Sequence, residues 1–164
     1  MTFEEYQKEA VKFRTESANN EEYLTLGLIE EVGEAAGKLA KGRRDVVFDE
    51  KAFIKELGDI LWFVANLADY YDREFDAKFS DGLKECFKMD TDAGATVEYT
   101  MILVACYASN TVSKCGVFFN DIVANIGDLA CRYGYTLEQL AEINLAKLRD
   151  RAARGKIQGN GDAR

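Results

Sequence analysis

Four acids fall as two pairs, Glu31 with Glu34 and Glu56 with Asp59, each three residues apart inside an apolar helical pattern. Residues three apart on a helix are neighbours, with Cβ atoms about 5–6 Å apart. Two carboxylates about 5 Å apart, half turned toward a core of effective dielectric near 20, repel by roughly 3 kcal/mol. A divalent cation between them removes that cost. On a fully solvated face the cost is only tenths of a kcal/mol, and the acids then merely keep the helix wet. The chain has no histidine, so a metal held here is held by oxygen, which suits Mg²⁺, Mn²⁺ or Ca²⁺ rather than zinc. The same absence excludes a Ser-His-Asp triad and a histidine general base.

The elements that carry these acids are legible as helices. Leu24, Leu28, Val32, Ala35 and Leu39 recur at helical spacing, with Glu31 at the edge of the stripe. The spacing predicts a helix from about Glu21 to Lys41, capped by Asn19 or Asn20 and stopped by Gly42. A basic loop, Gly42 to Phe48, leads to Asp49, which caps a helix over about Glu50 to Tyr71. Phe53, Ile54, Leu57, Ile60, Val64 and Leu67 give that helix a wide apolar face, and Asn66 lies two turns beyond Asp59. Two helices joined by a short loop pack antiparallel, which brings all four acids toward one cluster.

The remaining segments follow the same logic. Thr2 and Glu5 form a capping box for a first helix running to about Ser17. A short helix is expected near Phe79–Lys88, and Asp90–Gly94 reads as a turn, because its glycine comes one position early for a calcium loop and Met101 stands where the closing glutamate belongs. Further helices are expected from Glu98 to about Lys114, from Asn120 or Asp121 to Gly134, and from Leu137 to Arg154, the last opened by a Thr136/Gln139 capping box and closed by Gly155. No strand pair or repeat is evident. The reading is all-α: one helical domain over residues 1–164, with an inserted segment at about 73–119 and a glycine-rich tail at 155–164.

Composition narrows the function. A net charge of −8 argues against binding polymeric nucleic acid. The four cysteines, Cys86, Cys106, Cys115 and Cys131, match no zinc spacing. No apolar run is long enough to span a bilayer, and the polar opening MTFEEYQKEA is unlike a secretory signal. A cytoplasmic protein with reduced thiols is the expectation.

Taken in order, Glu31-x-x-Glu34, a basic loop and Glu56-x-x-Asp59 resemble the E-x-x-E … E-x-x-D signature of the all-α nucleoside triphosphate pyrophosphohydrolases, in their MazG-like branch. The words around them, IEEVGEAAGKLAKG, KELGDILWFVANLADYY and YGYTLEQLAEINLAKLRDR, are similar to that family over about residues 2–72 and 120–164. The resemblance implies a helical bundle acting as a homodimer or homotetramer. It implies Mg²⁺, with Mn²⁺ able to substitute, held by Glu31, Glu34, Glu56 and Asp59. It implies hydrolysis of a (d)NTP to (d)NMP and pyrophosphate, with purine deoxynucleotides such as dGTP or dATP among family substrates. Glu30 matches an extra glutamate that many members place before the motif. The inserted residues 73–119 depart from the short family pattern.

Carboxylates repel a triphosphate, so they act on it through a cation, and the phosphates need further positive groups. Glu30 and Glu34 are the candidates to orient or deprotonate water. Lys38, Lys147, Arg151 and Arg154 are the candidate phosphate contacts, with Lys41, Arg43, Arg44, Lys156 and Arg164 nearby in sequence. Asn66 is a candidate sugar or base contact, and Trp62 a candidate neighbour of the site. The alternatives are a dUTPase-like or dCTPase-like pyrophosphatase, the remoter phosphoribosyl-ATP pyrophosphatase, and a non-catalytic oligomeric helical protein. A carboxylate-bridged di-iron bundle is disfavoured because it requires Glu-x-x-His.

Overall fold

The computed structural model describes residues 1–73, 96–111 and 118–156. Among the described residues six α-helices run in order: α1 (Phe3–Val11), α2 (Glu21–Asp45), α3 (Glu50–Tyr70), α4 (Val97–Thr111), α5 (Phe119–Arg132) and α6 (Leu137–Ala153), with a 3₁₀ turn at Glu16–Ala18. No strand occurs among the described residues. The short helix expected near 79–88, the turn at 90–94, Cys86, Cys115 and the tail from residue 157 lie outside them.

Helix α3 is the axle of the bundle. It packs against α1, α2, α5 and α6, while α4 packs on α2 and α5. Every residue from Glu56 to Ala68 is buried. A helix buried all round is a core helix, and the two acids in this run, Glu56 and Asp59, are therefore drawn inward with it. The aromatic contacts Phe53–Tyr133 and Tyr71–Phe119 fix α3 antiparallel to α5.

The helix starts agree with their caps. Thr2 and Thr136 each form a complete capping box, with Glu5 and Gln139 respectively. Asn20 accepts from the Tyr23 N–H at 2.8 Å, and Asp49 accepts from the Ala52 N–H at 3.0 Å. Gly134 and Gly155 adopt the positive φ expected of helix-ending glycines. Helix α5 differs: it begins at Phe119, after Phe118, with no side-chain cap.

Two helix ends depart from the sequence reading, each for a tertiary reason. Helix α1 stops at Val11 rather than near Ser17. The Trp62 indole N–H donates to the Ala10 carbonyl at 3.1 Å, competing for an acceptor that a continuing helix would use. The chain then tightens into i→i−3 bonds from Phe13 and Arg14, and the Arg14 guanidinium anchors to the Asn66 carbonyl at 3.1 Å and to Asp69 at 2.6 Å. Helix α2 runs through Gly42 to Asp45. Gly42 is not a terminator: Phe48 folds back on it, and a Cβ there would lie 2.9 Å from the Phe48 ring. The residue that ends the helix in the left-handed region is Val46, at φ 57°.

Candidate active site

The site forms where α2, α3 and α6 converge. One carboxylate oxygen from each of Glu31, Glu56 and Asp59 lies within 4.8 Å of the others. Glu31 is half-buried on α2; Glu56 and Asp59 are 7% and 8% exposed on α3, too little water for two carboxylates without partners. Lys38 pairs with Glu56 at 3.2 Å, and Lys147 pairs with Asp59. Asn144 Nδ2 donates to the other Asp59 oxygen at 2.9 Å, and the Tyr6 hydroxyl donates to Asn144 Oδ1 at 2.9 Å.

The electrostatics follow from crowding acids in a dry place. Burial, and then the charge of Asp59, push the Glu31 carboxyl up to about 8; Glu56 and Glu34 add to this and Lys147 opposes it. Burial also raises Glu56, against the pull of Lys38 and with the push of Asp59 and Glu34. Burial and the Asp59 charge hold the Tyr6 phenol well above its ordinary value, so it remains an O–H donor.

Glycine spacing lets the helices approach. A Cβ on Gly58 would lie 3.3 Å from Asn144 Cβ, tighter than ordinary contact. The bare backbone beside Asp59 is thus what brings Asn144 and Lys147 within reach of it. On the α2 side, a Cβ on Gly27 would lie 2.2 Å from the Phe63 ring, so this glycine makes room for an aromatic wall.

Two hollows flank the carboxylates. One is lined by Phe13, Tyr23, Trp62, Phe63 and Leu148, with Thr15 and Ala18, and has Glu31, Asp59 and Arg151 at its polar end. Trp62 and Phe63 meet edge to face at 4.8 Å, and Tyr23 lies 6.0 Å from Phe63. The other is a cationic groove lined by Lys38, Lys55, Lys147, Arg151 and Arg154, with Ala52 and a single acid, Glu56. Arg151 lines both, so the acidic trio stands between an aromatic chamber and a basic channel.

Not every expected residue is part of this arrangement. Glu34 stands outside the close trio, half-buried, but near enough for its charge to act on Glu31 and Glu56. Glu30 is exposed on α2. Asn66 is fully buried; its amide donates to the Trp62 carbonyl at 2.8 Å, and it lines neither hollow. Arg43 pairs with Glu98, and Arg44 with Asp45 at 2.7 Å, away from the trio. Arg154 lines the groove while paired with Asp150 at 2.6 Å. Lys41 and Lys156 are exposed, and Arg164 lies outside the described residues. Sequence reasoning missed Lys55, Phe13, Tyr23 and Tyr6 as site residues. Tyr6 reads as one more apolar-stripe residue, and nothing in its spacing reveals a partner 138 positions away.

No described helix is long and apolar enough to cross a membrane. Residues 19–91 match the family model of the MazG nucleotide pyrophosphohydrolase domain. The matched stretch contains Glu30, Glu31, Glu34, Glu56 and Asp59 and ends before Asn144 and Lys147. The Gene 37 protein of Mycobacterium phage L5 is 44% identical over 55 residues, which cover 30% of this chain and 48% of that protein. The chain thus spans about half the length of this curated relative. No solved structure matches.

Proposed function

We propose, from the match of residues 19–91 to the MazG nucleotide pyrophosphohydrolase domain, that the chain hydrolyses a nucleoside triphosphate to the monophosphate and pyrophosphate with Mg²⁺ as cofactor. The observation that carries the reading is the convergence of Glu31, Glu56 and Asp59 between an aromatic chamber and a cationic groove. A base, a phosphate neutralised by a dication and a polyphosphate tail would meet those three environments in that order.

The donor set fits a hard dication. Three carboxylates have oxygens within 4.8 Å of one another, and burial followed by the charge of Asp59 pushes Glu31 up to about 8, so a cation among them would relieve the crowding. Its all-oxygen character favours Mg²⁺ or Mn²⁺. Glu31, Glu56 and Asp59 would hold the ion, with Glu34 beside them. A bound dication supplies charge neutralisation and Lewis-acid polarisation of the phosphate oxygens.

The chain's own residues do the rest. Lys38, Lys55, Lys147, Arg151 and Arg154 bind the polyphosphate; Arg151, facing both hollows, fixes its position relative to the base. Trp62, Phe63, Tyr23 and Phe13 offer stacking surface for the base and exclude water. Glu34, beside the trio, takes the proton of the attacking water, and Glu30 stands one position before the motif to assist from the solvent side. The exposed apolar side chains of Leu26 and Ile29 on α2 and Ile102 on α4 support the reading of a homodimer or homotetramer.

The test is pyrophosphate release from a panel of ribo- and deoxynucleoside triphosphates with Mg²⁺, beginning with dGTP and dATP and including dUTP and dCTP. Turnover of at least one nucleotide, lost in Glu56→Gln, is expected. No turnover of any nucleotide, with metal binding unchanged in Glu56→Gln, refutes the reading.

A further inference from the structure

We infer that Tyr6 is a positioning residue for the metal-binding carboxylate Asp59, acting from α1 through Asn144 of α6. The inference rests on the metal reading of the acidic trio and adds to it a residue outside the helices that carry the acids.

The geometry is a continuous chain of directed hydrogen bonds. The Tyr6 hydroxyl donates to Asn144 Oδ1 at 2.9 Å. Asn144 Nδ2 donates to Asp59 Oδ1 at 2.9 Å. Lys147 donates to Asp59 Oδ2. Tyr6 is 0% exposed and Asn144 2% exposed, so water does not compete for either link. An amide has two orientations, and a carboxylate accepts but does not donate. With Tyr6 donating to the amide oxygen, the amide must present its N–H₂ to Asp59. Were the hydroxyl absent, Asn144 Oδ1 would be a buried acceptor with no donor. The amide would then be free to rotate in search of one, and Asp59 would lose the bond that holds its Oδ1 in place.

That bond restrains the Asp59 carboxylate about its own axis, which sets where its oxygens stand relative to Glu31 and Glu56. Partners that orient a metal ligand from behind typically change metal affinity by about 10–100-fold when removed. The fold guards the link from both sides. Gly58 allows α6 to close on α3 at Asn144, and the N-terminal ammonium of Met1 pairs with Glu138 of α6, tying the start of α1 to the same helix.

The test is a double-mutant cycle on Tyr6→Phe and Asn144→Ala, read by calorimetric binding of Mn²⁺ and Mg²⁺ without nucleotide. Tyr6→Phe keeps the ring that fills the core and removes only the donor. Titrations are run in the cold, with folding followed by circular dichroism, so that a lowered melting temperature is not read as lost affinity. The expected result is about a 10-fold weaker metal Kd in Tyr6→Phe. Asn144→Ala should weaken binding at least as much, and Tyr6→Phe should add nothing further in the Asn144→Ala background. Unchanged affinity in a folded Tyr6→Phe, or an effect that persists undiminished without Asn144, overturns the inference while leaving the metal site standing. Failure of the parent protein to bind either ion overturns the metal reading and this inference with it.

Discussion

Glu31→Gln should make the metal-free protein more stable at neutral and alkaline pH while destroying its response to Mg²⁺. In the folded chain Glu31 is held up to about 8, against an ordinary 4.5. At about 1.4 kcal/mol per pH unit, that difference sets an upper limit near 5 kcal/mol. Solvent reaching a half-buried carboxyl screens it, which leaves about 2–3 kcal/mol. The sign follows from proton counting. Between about pH 4.5 and 8 the folded state holds a proton that the unfolded state has released, so stability falls as pH rises through this window and levels off above it. Glutamine never ionises and removes this slope. The assay is thermal unfolding of both proteins in EDTA from pH 5 to 9. The difference between them should grow across the window in favour of Glu31→Gln and, for a domain of this size, reach about 5–10 °C in melting temperature. Adding Mg²⁺ at high pH should restore the parent and leave the variant unmoved. Parallel pH profiles would refute the crowding of Glu31 against Asp59 and Glu56.

Three further outcomes follow from particular contacts. Lys147→Ala removes the ammonium beside Asp59 that also lines the cationic groove; a lost charge-assisted bond of about 1.5–3 kcal/mol should raise the KM for a triphosphate roughly 10–100-fold, measured by pyrophosphate release. Gly58→Ala gains about 1 kcal/mol in helix propensity but must force α3 and α6 apart against a 3.3 Å contact, at a cost of about 1–3 kcal/mol. It should lose about 1 kcal/mol in urea and weaken metal binding. Val46→Gly relieves a β-branched residue at φ 57°, where strain costs about 1–2 kcal/mol; because glycine also loosens the unfolded chain, the net gain should be about 0.5–1 kcal/mol in thermal unfolding, with pyrophosphohydrolase turnover unchanged.

The sequence by itself determined the all-α class, the capped starts of α1, α2, α3 and α6, and the two acidic pairs. These are properties of local chemistry: a Thr or Asn side chain reaches its own helix's free N–H groups, and residues three apart share a face whatever surrounds them. Helix ends were less legible, because they depend on distant groups. The Trp62 indole takes the Ala10 carbonyl and ends α1, and Phe48 packs on Gly42 and carries α2 onward. Tertiary structure alone decided which acids meet. Glu31, Glu56 and Asp59 converge because α3 is buried on every side and α2 lies along it, whereas Glu34, one turn on, falls outside the closest contact. It likewise decided that Asn66 supports the core of α3 while Tyr6, Asn144 and Lys147, from opposite ends of the chain, converge on Asp59. Residue spacing fixes which side of a helix a group occupies. What that side faces is set by the packing of the other helices, and with it the local dielectric, the partners and the chemistry.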